Sequence, residues 1–151
     1  MKTIHIGADS AGFDLKEIVK AHLTEAGYTV VDHGTDSTAS CHYPIFAARV
    51  AKAVQADAAS LGILVCGTGI GMSMAANKYR GIRAAVCGDT FSSRMTRMHN
   101  DANVLCIGAR VIGQGLACDI VDLFVTTPFE GGRHATRVDM ITAIEGGADV
   151  E

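Results

Sequence analysis

The chain has 151 residues, a hydrophobic content of 48% and a net charge of −3, which predict a single domain over residues 1–151 with a substantial buried core. No block of basic residues is present, so nucleic acid and anionic membranes are not expected as partners. The first residues lack the pattern of a signal peptide, and no apolar run approaches the roughly 18 residues that cross a bilayer.

The five cysteines, at positions 41, 66, 87, 106 and 118, include no CxxC pair. This spacing predicts neither a disulfide framework nor a zinc site. Cys41, Cys87, Cys106 and Cys118 are interpreted as small hydrophobic residues without a chemical role. We therefore expect a reduced, cytoplasmic protein without a metal ion.

Short apolar runs alternate along the chain with longer segments of helical periodicity. Strands are predicted at 3–7, 29–32, 61–66, 83–87 and 104–108. A helix is predicted from Phe13 to Ala26, closed by Gly27, with others at 44–56, 72–79, 90–100, 114–126 and 133–145. This alternation predicts a three-layer α/β/α sandwich with a five-stranded parallel sheet, Rossmann-like or flavodoxin-like, plus a C-terminal helix.

Glycine and polar residues collect where the predicted strands end. These positions are 7–10, 34–35, 66–71, 88–89 and 108–110. Ligands of open parallel sheets bind beyond the carboxyl ends of the strands, so a site is expected at this edge.

The glycine loop, residues 66–71, has the sequence CGTGIG. Its three glycines allow several backbone N–H groups to converge on an anion at the start of a helix. The G-x-G-x-G spacing differs from a dinucleotide fingerprint, and no acidic residue follows about 20 residues on. Binding of an anion or oxyanion is favoured, with a tight turn that merely requires glycine as the alternative.

Cys66 and His99 are the candidate reactive side chains. Cys66 opens the glycine loop before a helix, a position that favours the thiolate, although an inert buried thiol fits the spacing equally well. His99 ends a predicted helix just before a strand, so it can face the sheet edge, whereas a lone histidine is more often structural. His5 alternates with apolar residues and is interpreted as a satisfied strand residue.

Arg133 and Arg137 lie four residues apart after a Gly-Gly turn, on one face at the start of a predicted helix. The helix dipole disfavours positive charge there, so a shared anion would relieve this cost. Together with His134, the pair favours a phosphate site, and a solvated basic turn is the alternative. Arg110, just past the fifth strand, offers a further cation.

Several segments, taken in this order, resemble the ribose-5-phosphate isomerase B family, which includes the galactose-6-phosphate isomerase subunits. They are GADSAGFDLK (7–16), the pair Tyr43-Pro44, CGTGIGMSMAANK (66–78), GIRAAV (81–86), RMHNDANVLCIGARVIG (97–113) and EGGRHATRV (130–138). The resemblance implies reversible aldose–ketose isomerisation of a phosphorylated sugar, of the ribose 5-phosphate/ribulose 5-phosphate type, without cofactor or metal. It also implies a homodimer, often paired into a tetramer, whose active sites are lined by both subunits.

The resemblance also assigns roles to residues. Cys66 is the implied base of an enediolate mechanism, because this chain has Met72 where some relatives carry a carboxylate. Thr68 would shuttle a proton, and His99 would open the sugar ring. Asp9 would hold hydroxyls or assist that step. The remaining implied substrate contacts are Ser10, His42, Tyr43, Gly67, Gly69, Ile70, Gly71 and Asn100, with Arg110, Arg133, His134 and Arg137 at the phosphate.

Two positions depart from the family pattern. Asp9-Ser10 stands where the family usually has Asp-His, so Ser10 replaces a histidine, and His42 stands where an aspartate usually precedes the Tyr-Pro pair. Either His42 points toward the space left at position 10, or the site accepts another sugar. A 6-phosphohexose or a tetrose phosphate is therefore an alternative substrate, and a non-catalytic phosphosugar-binding paralogue is an alternative function. A nucleotide-binding module is disfavoured by the spacing of the glycine loop.

Overall fold

The computed structural model describes all of residues 1–151, and strands alternate with helices along the chain. The elements are β1 (Thr3–Ala8), α1 (Phe13–Glu25), β2 (Thr29–Asp32), α2 (Tyr43–Ala56), β3 (Leu61–Cys66), α3 (Ile70–Ala76), β4 (Ala84–Val86), α4 (Thr90–Asn100), β5 (Val104–Gly108), α5 (Gln114–Thr126) and α6 (Arg133–Glu145). None of the helices is long and apolar enough to cross a membrane.

The five strands form one parallel sheet in the order β2-β1-β3-β5-β4, which confirms the predicted sandwich. Every residue of β3 and β5 is buried, as expected for strands covered on both faces. On one face the core contains Leu23 of α1 and Phe124 of α5. On the other face Val50 of α2 and Met72 of α3 belong to a second cluster.

The helix after the glycine loop differs from its predicted range of 72–79. It begins at Ile70, directly after Gly69, whose φ of 81° lies in the left-handed region. It ends at Ala76, because the side chain of Asn77 turns to the next strand. There Asn77 accepts a hydrogen bond from the Ala84 amide at 2.8 Å and donates one to the Ala84 carbonyl at 3.0 Å. These contacts lie outside the local pattern that predicts a helix.

The segment that follows β2 is held in place by a buried lysine of α1. Lys16 is 1% exposed, and its Nζ donates to Asp32 Oδ1 at 2.8 Å and to the carbonyl of Thr35. The segment that it holds continues the β1 ladder, since the Ala8 amide donates to the Gly34 carbonyl at 2.8 Å. Partial burial opposes ionisation of Asp32, yet hydrogen bonds from Lys16 and Lys20 hold its pKa below the ordinary value.

Removal of the charge on Asp32 should destabilise the fold in a pH-dependent way. Asp32→Asn removes the carboxylate that lies 2.8 Å from the buried ammonium of Lys16 and leaves it only Glu17, at 3.2 Å, as an acidic partner, at an expected cost of about 2 kcal/mol at pH 7. A depressed pKa stabilises the fold above the unfolded value of about 3.9 and no longer does so once the pH falls through the folded value. The difference between wild type and variant in urea denaturation should therefore shrink below about pH 4. The exposed Asp36, which has no side-chain partner, supplies the control Asp36→Asn, which should behave as wild type.

Candidate active site

The thiol of Cys66 lies at the carboxyl end of the central strand β3. Its residue is 6% exposed, and the amide of Gly69 donates a hydrogen bond to Sγ at 3.0 Å. A donor aimed at sulfur stabilises negative charge there, and the thiolate is the reactive form of cysteine. The glycine loop thus folds back over the thiol of its own first residue, Cys66.

The glycine loop rests on the end of β5 through direct backbone contact. A Cβ on Gly108 would lie 2.8 Å from the backbone of Thr68, and one on Gly69 would lie 3.0 Å from Ile107. Two hydrogen bonds fix this contact, from the Ala109 amide to the Cys66 carbonyl and from the Arg110 amide to the Gly67 carbonyl.

Two amides of this loop are available to a ligand. The N–H groups of Gly67 and Thr68 donate to no acceptor within the chain. Both amides lie between Cys66 and the start of α3, and donors fixed in this way are suited to an oxyanion.

Three other predicted site residues surround the loop. Asp9 follows β1, where its amide donates to the Val65 carbonyl at 3.2 Å and its Oδ1 accepts from the Gly12 amide at 3.0 Å. The ring of Tyr43 covers Gly71, since a Cβ there would meet Tyr43 Cε1 at 2.6 Å. The guanidinium of Arg110 lies over Gly67.

Position 10 and His42 lie on the same side of the fold. Ser10 is half-buried directly after Asp9, and His42 is exposed. His42 precedes the first residue of α2 and makes no capping hydrogen bond through its side chain. A contact of His42 with the substrate stays a prediction.

The other cysteines are separate from this chemistry. Burial raises the pKa of Cys87 to about 11 and that of Cys106 well above its ordinary value, so both are inert, as expected. Cys41 and Cys118 are half-buried, and Cys41 packs against the hydrophobic cluster of α2 and α3, so their lack of a chemical role stays a prediction. His5 is also satisfied, since its Nδ1 lies 3.0 Å from His33 Nε2.

His99 and Asn100 do not reach the thiol of their own chain. A helix that follows a parallel strand runs back toward the amino end of the sheet, and Arg83 Nε donates there to the Asn100 carbonyl at 3.2 Å. In the sheet, Ala84 of β4 and Gly62 of β3 both pair with Val104 of β5. Gly62 lies four residues before Cys66, so this contact lies about 13 Å from Cys66 along the strands. His99 thus lies toward the opposite end of the sheet from Cys66 of the same chain, whereas the sequence pattern allowed it to face the carboxyl edge.

A second cluster forms around His99. The rings of His99 and His134 stack at a centroid distance of 4.1 Å and an angle of 11°, and Glu130 Oε2 lies 3.2 Å from His134 Nε2. Donor atoms of these three residues come within 4.8 Å of one another, a grouping that the sequence did not predict. His134 is 6% exposed, so it is covered by His99 rather than open to a phosphate.

Burial, the neighbouring His99 and the Arg133 guanidinium lower the pKa of His134. Arg133 and Arg137 are exposed at the start of α6, and neither forms an ion pair. Two unneutralised cations in the first turn of a helix are suited to an anion, so the predicted phosphate site remains open in the structure.

The residues that hold His99 in place were not predicted. Arg97 is 4% exposed, and it binds Asp101 Oδ1 at 3.0 Å and the carbonyl of Thr127 at 3.3 Å. Asp101 adopts a left-handed φ of 46° and also lies 3.3 Å from Arg83. In the sequence, the only indication of this network is the charge of Arg97 within the otherwise amphipathic helix α4.

Comparison with known proteins places these two clusters in context. The family model described as Ribose/Galactose Isomerase matches residues 4–141. The chain belongs to the ribose/galactose isomerase family. Ribose-5-phosphate isomerase B of Escherichia coli strain K12 is 51% identical over 145 residues, which cover 96% of this chain and 97% of that protein.

Two further relatives show the range of this family. A solved structure of ribose-5-phosphate isomerase B from Clostridium thermocellum superposes with a TM-score of 0.94 at 50% identity, covering 96% of this chain and 98% of that one. The D-erythrulose-4-phosphate isomerase of Pectobacterium atrosepticum is 46% identical over 142 residues, which cover 93% of each protein. The named substrates of these isomerases differ in chain length, which bears on the substitutions at positions 10 and 42.

Proposed function

We propose that this protein catalyses reversible aldose–ketose isomerisation of a phosphorylated sugar, of the ribose 5-phosphate/ribulose 5-phosphate type, by proton transfer through an enediolate. The observation that carries the proposal is the buried thiol of Cys66, held by the Gly69 amide at 3.0 Å beside two amides without acceptors. Membership of an isomerase family gives this arrangement its reaction class.

In the proposed mechanism, the Cys66 thiolate removes the proton from C2 of the open-chain aldose. Negative charge then develops on the substrate oxygen, where the free amides of Gly67 and Thr68 can donate to it. Return of the proton from sulfur to C1 gives the ketose, so the thiolate is regenerated and no net charge is transferred. The hydroxyl of Thr68, on the exposed side of the loop, moves the remaining proton between O1 and O2.

The substrate phosphate is assigned to the cations. Arg133 and Arg137 lack acidic partners, and Arg110 lies beside the glycine loop. Guanidinium groups match the geometry of phosphate oxygens. With the phosphate bound there, the amides of the glycine loop are left for the enediolate.

Each active site is proposed to be shared between two chains of a homodimer. One chain presents Cys66, Asp9 and Arg110 at the carboxyl edge, whereas His99 and the Arg133–Arg137 pair belong to the opposite side of the fold. Exposed apolar side chains support a second copy as the partner. They include Ile70, Met74, Val86, Phe91, Ile141 and Ile144, between 43% and 64% exposed.

Replacement of the thiol tests the mechanism. Cys66→Ala should abolish exchange of the substrate C2 proton with deuterated solvent, because the proposed base is removed, and isomerisation should fall at least about 1,000-fold. Binding of the phosphosugar, measured by calorimetry, should persist. Exchange at the wild-type rate in Cys66→Ala would rule out the thiol as base. A wild-type protein that binds phosphosugars without any exchange would instead be the non-catalytic paralogue.

Mixing of two inactive variants tests the shared site. Co-refolded Cys66→Ala and His99→Asn chains should regain about a quarter of the wild-type activity, since half of the dimers are mixed and each has one intact site. The assay is conversion of ribose 5-phosphate, with each variant refolded alone as the control. A mixture no more active than its parts would mean that both groups act within one chain.

The substrate itself is tested at position 10. Ser10→His places an imidazole beside Asp9, and it should shift the ratio of kcat/KM between tetrose, pentose and hexose phosphates by about 10-fold, which corresponds to one hydrogen bond of about 1.4 kcal/mol. A panel of phosphorylated aldoses and ketoses of four to six carbons provides the measurement. An unchanged ratio would mean that position 10 does not select the sugar.

A further inference from the structure

The buried imidazole of His134 has an unsatisfied nitrogen. Its Nε2 is inaccessible to solvent and accepts or donates no hydrogen bond, although Glu130 Oε2 lies only 3.2 Å away. A buried polar atom without a partner costs about 1–3 kcal/mol. The Glu130 side chain is 43% exposed, so rotation of its carboxylate can align the acceptor with Nε2–H.

The backbone holds this pair against His99. The Glu130 amide donates to the Met98 carbonyl at 3.1 Å, and the His134 amide donates to the Gly131 carbonyl at 3.1 Å. Arg97 ties Thr127 to the same end of α4. These hydrogen bonds hold the stacked His134 ring in place from both sides, as expected of a residue that positions another side chain.

A metal ion is a poorer occupant of this cluster. Nearly parallel rings at 4.1 Å direct their nitrogen lone pairs side by side rather than toward one point. The cations of Arg133 and Arg137 already disfavour positive charge on His134, and they oppose a divalent cation for the same reason.

We propose that Glu130 and His134 form a positioning pair, in which Glu130 accepts from His134 Nε2–H and the stacked His134 ring sets the plane of the His99 imidazole for opening of the sugar ring. This inference rests on the proposed isomerase function. In that step His99 takes the proton of the C1 hydroxyl and returns a proton to the ring oxygen as the bond from C1 to that oxygen breaks. A neutral His134 leaves His99 as the one imidazole that carries charge during the transfer.

The chemistry of the sugar separates ring opening from proton abstraction. Ribose 5-phosphate closes a five-membered ring between C1 and the C4 oxygen, so the enzyme must open it. Ribulose 5-phosphate remains an open chain, because its C5 hydroxyl is occupied by phosphate. Exchange of its C1 proton with solvent deuterium therefore requires Cys66 but not ring opening.

The experiment compares these two reactions in variants of the positioning pair. Glu130→Ala should lower kcat for ribose 5-phosphate about 10-fold, with KM and the exchange rate of ribulose 5-phosphate within about twofold of wild type. Glu130→Gln keeps an acceptor and should recover most of the lost rate. His134→Phe keeps a stacked ring but loses Nε2, and it should resemble Glu130→Ala. The exposed Glu25, without a polar partner, supplies the control Glu25→Ala.

Two results would overturn the proposal. The first is a Glu130→Ala variant in which both reactions are unchanged, and the second is one in which both fall by the same factor, which is the signature of a structural role. Because Glu130 is partly exposed, its variants decide the question even if His134→Phe fails to fold. Wild-type protein that neither converts ribose 5-phosphate nor exchanges the ribulose 5-phosphate proton would contradict the proposed function itself, and with it the positioning pair.

Discussion

The close contact between two backbones, at Thr68 of the glycine loop and Gly108 of β5, determines where the thiol of Cys66 lies. Since a Cβ on Gly108 would come within 2.8 Å of Thr68, the loop can descend to the sheet only over a glycine. The left-handed Gly69 then turns its amide back to the sulfur. Buried parallel strands on both sides make this geometry rigid, so the free amides are oriented before any substrate arrives.

The same fold keeps the imidazole of His99 and the guanidinium groups of Arg133 and Arg137 away from that thiol. The connecting helix α4 returns to the amino edge of the sheet, and Arg97 and Asp101 fix its end. A single chain therefore contains two partial sites, one around the thiol of Cys66 and one around the stacked imidazoles of His99 and His134. Family membership supplies the reaction class, whereas the geometry of one chain explains why two chains would be needed to perform it.

Much of this architecture follows from local sequence pattern. Continuous apolar runs identify β3 and β5, and parallel topology alone gathers Asp9, Cys66 and Arg110 at one edge. The end of α3 depends on the contact of Asn77 with Ala84, seven residues on, which periodicity does not report. The edge occupied by His99 could have been deduced from the direction of a connecting helix. The burial of His134 could not, because it depends on how α6 packs on α4.

If the active site is shared between two chains as proposed, catalysis requires that the chains associate. Dilution that separates the chains would then also separate the groups that must act on one sugar. A ligand that bridges both chains would also oppose their separation, so substrate would favour assembly by mass action. The specific activity of such a protein would depend on the protein concentration. The sugar phosphate would then act both as the substrate and as a ligand that stabilises the quaternary structure.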